Sequence, residues 1–397
     1  MATYAFINLP AYGHISPTLP IVQQLADRGD TVIYYVPESF RETVEAVGAE
    51  FRGFPLESFK IAGGGTVTLS ADERIAMLPF TMARRSMQVV PQLVESIKAL
   101  NPDCLVYNTL HLWARCVARV LGVRAIGLRS YHAPRERPSG GGPFTMAKLA
   151  DLTAAADRKL DQLARVFGQP PLTLKRLAGA VEELTLVFMP REFQQGADAF
   201  DERFVFVGPS LRANGPERWF FPGQSADSPT RIYVSLGTLR NNQPEFYGIC
   251  LRAFDSSEWQ VVMSVGHQID IRALGPTPAS FVVMPSAPQL ELLPNVDAFV
   301  THGGLNSTME SLYFGVPLVV IPSIREQRLT ARRVQEMGLG LVLDHGGLTP
   351  ESLREAVRTV ARDPEIRSRV KGMQKLVRST GGSRQATEAI VKFANAS

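Results

Sequence analysis

The stretch that most constrains what this chain can fold into runs from Asp297 to Ile321. Asp297-Ala298-Phe299-Val300 is a short apolar run of the kind that forms a buried parallel strand. Gly303-Gly304 breaks it and lets backbone approach a ligand closely. Leu305, Met309 and Leu312 then recur at helical spacing, so the pattern predicts a helix opening after Gly304. Val316 to Ile321 is the next buried strand, with Pro317 fitting its first residues. Strand, glycine turn, helix and strand predict a parallel sheet, with ligands bound at the carboxyl ends of its strands.

The first turn of a helix presents free backbone N–H groups and the positive end of the dipole, which together favour an anion. The stretch lacks the Gly-Lys-Ser/Thr ending of a phosphate-binding loop and the third glycine of a dinucleotide fingerprint. It offers His302 as a donor to a phosphate oxygen, Asn306 and Ser307 as neutral donors, and Glu310 as acceptor for a ribose hydroxyl pair. That set suits a nucleotide diphosphate.

Elsewhere strand and helix alternate with short links. Tyr4 to Leu9 reads as a strand, Pro10 to His14 as a loop, Ser16 to Arg28 as a helix stopped by Gly29. Thr31 to Val36 is a strand, Glu38 to Val47 a helix, Ala49 to Gly53 a strand. Asp72 to Leu100 is helical but expected to break near Pro79 and Pro91. Cys104 to Tyr107 and Val123 to Leu128 are strands around a helix at His111 to Leu121. Gly63, Gly64 and Gly65 and the Gly- and Pro-rich segment from Ser130 to Phe144 are surface loops, and Thr145 to Phe167 is a helix. A second series begins at Arg231 to Leu236. It continues through a helix at Pro244 to Phe254, strands at Gln260 to Val265 and Ser280 to Met284, and helices at Pro350 to Arg362, Glu365 to Arg378 and Ser383 to Ala394.

At 397 residues the chain is natural for two domains. A net charge of +4, spread along the chain, argues against nucleic acid as the main partner. Cys104, Cys116 and Cys250 are scattered and odd in number, giving no disulfide framework or metal spacing and pointing to a reducing, cytoplasmic setting. Met1 to Leu9 lacks a basic leader pattern, and no apolar run approaches the roughly 20 residues of a membrane span, so stable membrane insertion is not expected.

The segment from Pro288-Gln289 to Gln327 resembles the nucleotide-sugar signature of family 1 glycosyltransferases, and nearly the whole chain resembles their bacterial macrolide-type branch. Supporting stretches are Phe6-Ile7-Asn8-Leu9-Pro10-Ala11-Tyr12-Gly13-His14-Ile15-Ser16-Pro17, Val234-Ser235-Leu236-Gly237-Thr238 and Asn242-Gln243-Pro244-Glu245-Phe246. The resemblance implies an α/β chain of GT-B fold, with two Rossmann-like domains whose parallel sheets face an interdomain cleft. Residues 1–208 would bind the acceptor, 209–229 link the domains, 230–380 bind the donor, and 381–397 pack back on the first domain.

The resemblance also implies roles. His14 would be the base that removes the acceptor's proton, a task suited to a side chain titrating near working pH; the plain alternative is a loop histidine satisfied by backbone. Where the family places an orienting Asp, this sequence has Asn108. Asparagine can hold a ring N–H through its carbonyl oxygen but cannot balance imidazolium charge. Three readings stay open: an already acidic acceptor such as a phenol, assistance from His111 or His132, or a slow or inactive enzyme. His302, Gly304, Asn306 and Ser307 would hold the phosphates, joined by Ser235 and Thr238; Glu310 would hold the ribose and Gln289 the base. Ser286 and Ala287 stand where the family commonly has a base-stacking aromatic. Glu326 and Gln327 match the pair that meets sugar hydroxyls, which favours glucose over a deoxysugar.

With no Asp-x-Asp motif, no metal or other cofactor is expected. The arginines Arg325, Arg328, Arg332 and Arg333, like Arg84, Arg85 and Arg135 to Arg137, read as solvated faces. The expectation is a UDP-glucose-dependent inverting transferase acting on a hydroxyl of a hydrophobic small molecule, as a monomer or homodimer. A dTDP-sugar donor, a nucleotide-sugar epimerase and a non-catalytic sugar-nucleotide-binding protein are the rivals.

Overall fold

A computed structural model describes residues 1–54, 71–132, 145–212, 229–238 and 240–396. The three glycines Gly63 to Gly65, the arginines Arg135 to Arg137, and most of the segments 130–144 and 209–229 lie outside the described residues. The chain divides into two compact units. The first comprises Met1–Phe188, Gly196–Ser210 and Gly381–Ser397; the second comprises Met189–Gln195 and Leu211–Thr380.

The first unit runs β1 (Thr3–Ile7), α1 (Tyr12–Ile15), α2 (Leu19–Asp27), β2 (Thr31–Val36), α3 (Arg41–Glu45), β3 (Glu50–Gly53), α4 (Ala71–Leu100), β4 (Cys104–Asn108), α5 (Leu112–Leu121), β5 (Ala125–Arg129), α6 (Met146–Val166), α7 (Leu174–Gly179), β6 (Leu184–Val187) and β7 (Phe204–Phe206). Its seven strands form a parallel sheet in the order β3-β2-β1-β4-β5-β6-β7. Successive residues of a strand point to opposite faces, and both faces are covered. Ala5, Ile7, Leu105 and Tyr107 bury against α4 to α7, while Tyr4, Phe6, Cys104 and Val106 share a core with α2 and α3. Two-sided burial is why these strands read as unbroken apolar runs.

The second unit runs β8 (Thr230–Ser235), α8 (Pro244–Ala253), β9 (Trp259–Ser264), β10 (Phe281–Met284), α9 (Gln289–Leu292), β11 (Ala298–Thr301), α10 (Leu305–Phe314), β12 (Leu318–Val320), α11 (Arg325–Glu336), β13 (Gly340–Val342), α12 (Pro350–Arg362) and α13 (Pro364–Ser379). Its six strands are also parallel, in the order β10-β9-β8-β11-β12-β13. The chain ends in α14 (Gly382–Asn395), whose Ala386 and Ile390 enter the first unit's core beside Ile15, Leu19 and Val22.

Several elements differ from the sequence expectation. α4 is one helix through both Pro79 and Pro91. Each proline removes one backbone donor, but Met82, Ala83, Val89, Val90, Leu93, Val94 and Ile97 are buried along the same helix, and that packing holds it together. The expected helix from Ser16 to Arg28 is divided into a 3₁₀ turn at Ser16–Thr18 and then α2, and the expected helix at Glu38 to Val47 shortens to a 3₁₀ turn and α3. Pro10 to His14 is not all loop, because α1 forms across Tyr12–Ile15 and carries His14. β6, β7, β13 and α7 were not anticipated; strands of three or four residues leave too few positions for a periodic signal. Arg333 is not a freely solvated arginine: its guanidinium donates to the carbonyls of Glu192 (2.6 Å) and Phe193 (3.1 Å), tying Met189–Gln195 to the second unit.

Candidate active site

In each sheet the strand order reverses beside the first strand, between β1 and β4 and between β8 and β11. Ligand crevices of doubly wound sheets form at the carboxyl ends of such strands. His14, Asn108, Ser235, Thr238, His302, Gly304, Asn306, Ser307 and Glu310 lie at or just beyond the ends of these strands, whereas Gln289 follows β10 and Glu326 and Gln327 follow β12.

In the first unit Ile7 is level with Tyr107, so Asn108 ends β4 one step beyond the last residue of β1. The chain leaving β1 is anchored by Asn8, whose amide donates to the Tyr34 hydroxyl (2.6 Å), and it turns into α1. This turn carries the half-buried ring of His14 to Asn108. The amide nitrogen of Asn108 is 2.9 Å from His14 Nδ1, and Ser130 Oγ is 3.0 Å from the same atom. Burial pulls the His14 pKa down to about 4, and no charged neighbour opposes the shift.

The asparagine departs from the expected arrangement. Its Oδ1 accepts the Leu110 backbone N–H at 3.0 Å, so the NH₂ group faces the ring. Asn108 therefore does not hold a ring N–H through its carbonyl; it donates to a ring nitrogen. His111 does not assist either. It is fully buried beside the rings of Phe54 and Trp113, and its Nδ1 accepts the Ala114 N–H as N-cap of α5. Ser130 was missed as a site residue because it was counted only as the start of a loop. Its position one residue past β5, two strands from β1, was the available signal.

In the second unit Ser235 is level with Thr301, which brings the turns after β8 and β11 together. The His302 ring lies between them. A Cβ on Gly237 would stand 2.6 Å from its Cε1, and a Cβ on Gly304 2.5 Å from its Nε2. Both positions must be glycine for the ring to fit, and Gly237 also takes a left-handed φ of 75°. Burial holds the His302 pKa down to about 4, opposed by a hydrogen bond to the Ser235 backbone. The ring is thus neutral at neutral pH, with its single N–H available to the Ser235 backbone.

Gly304 is the N-cap of α10 and supplies no side chain, so nothing from that position caps the N–H groups of Leu305, Asn306 and Ser307. Ser307 Oγ is 3.3 Å from the Gln289 amide, which also donates to Glu310. Burial raises the Glu310 carboxyl to about 7, with the Gln289 bond pulling the other way. Ser235 Oγ accepts the Gly237 N–H (3.2 Å), while Thr238 is exposed on the turn. Glu326 sits exposed in the first turn of α11. Gln327 has a structural task that the sequence did not disclose. Its Oε1 accepts from Ser323 N (2.8 Å), Ser323 Oγ (3.0 Å) and Ile324 N (3.2 Å), leaving only its NH₂ to meet a ligand.

Among the described residues no group of three or more His, Cys, Asp or Glu side chains could hold a metal ion, and no helix is long and apolar enough to cross a membrane. Chemically, the second unit offers an uncapped helix start, neutral donors and a carboxylate, as a nucleotide diphosphate requires. The first offers a neutral imidazole at the end of a sheet.

Comparison with known proteins gives the family. Residues 254–390 match the family described as erythromycin biosynthesis protein CIII-like, C-terminal domain. The NDP-glycosyltransferase YjiC of Bacillus subtilis is 39% identical over 394 residues, spanning 98% of this chain and 96% of that one. The demethyllactenocin mycarosyltransferase of Streptomyces fradiae is 30% identical over 403 residues, spanning 98% and 86%. The crystal structure of the calicheamicin glycosyltransferase CalG4 superimposes with a TM-score of 0.83 at 32% identity, covering 99% of this chain and 98% of that one. The chain belongs to the family 1 nucleotide-sugar glycosyltransferases of GT-B fold, in their macrolide-type, natural-product branch.

Proposed function

We propose that the enzyme transfers glucose from UDP-glucose to a hydroxyl of a hydrophobic small molecule, a polyketide, phenolic or flavonoid, with inversion and without a metal ion. The observation that carries this reading is the uncapped start of α10 beside a neutral His302. Backbone N–H groups and the helix dipole there would take the charge that leaves with the diphosphate. Glu310 supports a ribonucleotide, since a carboxylate can accept from both hydroxyls of a ribose. Exposed Glu326 and the free NH₂ of Gln327 support a hydroxyl-rich sugar.

In a single displacement the acceptor oxygen attacks the anomeric carbon as the bond to the β-phosphate oxygen breaks. The electron pair leaves on UDP, and an α-linked donor yields a β-glycoside. His14 is the side chain assigned to the acceptor oxygen. Three free, buried thiols support a cytoplasmic setting.

A mass-spectrometric acceptor screen with UDP-glucose, dTDP-glucose and a dTDP-deoxysugar tests this directly, run with and without a chelator. We expect gain of one hexose residue from UDP-glucose, unchanged by chelation. Preference for the deoxysugar would overturn the donor assignment in favour of the second reading, a dTDP-sugar donor; the mycarosyltransferase relative favours that alternative.

A further inference from the structure

The unusual feature of the first unit is not that a carboxylate is missing but which way its replacement points. The Asn108 amide has one oxygen and one NH₂ group. The oxygen accepts the Leu110 backbone N–H at 3.0 Å, and reversing the amide would set two donors against each other. The NH₂ is therefore committed to His14 Nδ1 at 2.9 Å. A nitrogen that accepts carries no proton. A neutral imidazole has one ring proton, so it sits on Nε2. Ser130 Oγ, 3.0 Å from Nδ1, does not change this, because its hydroxyl can also turn its proton toward the lone pair. The opposite tautomer would satisfy Ser130 alone and press the ring N–H against the amide N–H.

An imidazole in this state is a hydrogen-bond donor at Nε2, with no lone pair there to accept a proton. Nothing nearby favours its cation. Among the described residues no charged side chain contributes to its titration; the faces toward it are the neutral amide of Asn108 and the hydroxyl of Ser130. Two large exposed side chains stand close by in the chain: Tyr12, two residues before His14, is 54% exposed, and Leu110, two residues after Asn108, is 42% exposed. Exposed apolar side chains beside a neutral donor suit an aromatic ring bearing an oxygen.

We propose that the site takes its acceptor as an oxyanion already formed in solution, a phenolate above all, and that His14 Nε2–H donates to that oxygen without removing a proton. This rests on the transferase reading above. The step balances without a base. The phenolate oxygen bonds to the anomeric carbon, the carbon–oxygen bond to the diphosphate breaks, and the negative charge passes to the departing nucleotide. No proton reaches the protein, so no imidazolium forms and no carboxylate is needed to balance one. Aliphatic alcohols, which ionise about as reluctantly as water at pKa ~16, are excluded. Phenols, with pKa values at or below about 10, are admitted.

The test is a series of para-substituted phenols of graded acidity, with a benzylic alcohol of matched shape, on the wild-type enzyme with UDP-glucose and dTDP-glucose. At pH 7 we expect kcat/KM to fall several-fold for each unit by which acceptor pKa exceeds the pH. Each phenol's rate should rise with pH to a plateau set by its own ionisation, with the alcohol at least 1,000-fold slower than the most acidic phenol. Asn108→Asp restores an acceptor for a ring N–H and moves the lone pair to Nε2. It should raise activity on the alcohol at least tenfold and flatten the dependence on acceptor acidity. Wild-type rates within tenfold for alcohol and phenols, or phenol profiles that all follow one enzyme pKa, would overturn this proposal and leave the transferase reading intact. Donor binding, read as protection from heat by UDP, with transfer to no acceptor would overturn both. The wild-type series decides the matter even if the Asn108→Asp protein does not fold.

Discussion

The two sheets reverse their strand order in the same way, yet the helices that follow β4 and β11 begin with opposite chemistry. α5 is closed by a residue of its own, His111, whose Nδ1 accepts the Ala114 N–H. α10 is left open by Gly304. A shared architecture supplies two equivalent helix ends, and one N-cap side chain decides which can grip an anion. The histidines differ as well. His302 is fixed between two glycines and leans on backbone, whereas His14 is oriented by two neutral side chains.

The sharpest way to break this contrast is to close the open helix. At Gly304 the backbone is extended (φ −61°, ψ 137°) and tolerates any residue, but a Cβ there meets His302 Nε2 at 2.5 Å. Gly304→Val should lower turnover roughly 10²–10³-fold, the cost of losing an oxyanion donor, and abolish protection from heat by UDP. Retained protection would show that the diphosphate sits elsewhere.

Next in size is an acid effect common to both units. His14 and His302 are held neutral in the fold, with pKa values pulled from 6.5 to about 4. Each binds fewer protons folded than unfolded, so the stability contribution is intact above about pH 6.5 and is lost as pH falls toward 4. The loss should be on the order of 1–3 kcal/mol per ring. His14→Gln and His302→Gln should each flatten the decline of melting temperature between pH 7 and 4.5. Saturating UDP should flatten it further only where His302 is present, because a diphosphate favours the imidazolium. An identical UDP effect in the His302→Gln protein would refute the difference drawn between the rings.

Glu310→Gln should raise the donor KM about tenfold with kcat nearly unchanged, as expected for loss of binding felt equally in ground and transition states; a fall confined to kcat would remove Glu310 from the ribose. The smallest effect is expected at His111. His111→Asn keeps a capping acceptor but vacates space beside Phe54 and Trp113, so stability should fall by about 1–2 kcal/mol, with the UDP dissociation constant unchanged within about twofold. Weakened UDP binding would mean that the closed helix is not independent of the donor site.

The turn and helix after β11 were legible in the sequence because they are written in consecutive residues: a glycine pair fixes the turn, and the helix it opens fixes what the backbone offers. The first unit was legible only in outline. His14 and Asn108 are far apart in sequence, and the resemblance paired them. The direction of the amide depends on the Leu110 N–H, a consequence of how β4 turns into α5 that no side-chain pattern reports. Ser130 escaped notice because strand order, not sequence order, brings β5 near β1. Gln327 was assigned to the sugar by its motif alone, while its oxygen serves the start of α11. Pro79 and Pro91 misled for the converse reason: local propensity called a break, and burial along α4 outweighed it.

α14 carries one more consequence. It follows the whole second unit in the chain, yet Ala386 and Ile390 complete a core begun by Ile15 and Leu19. Domains generally fold amino-terminal first during synthesis. Here the first unit must wait, with part of its apolar interior uncovered, until Ile390 has been made. The half made second has all its own strands and helices in hand by Thr380 and can finish before the half made first.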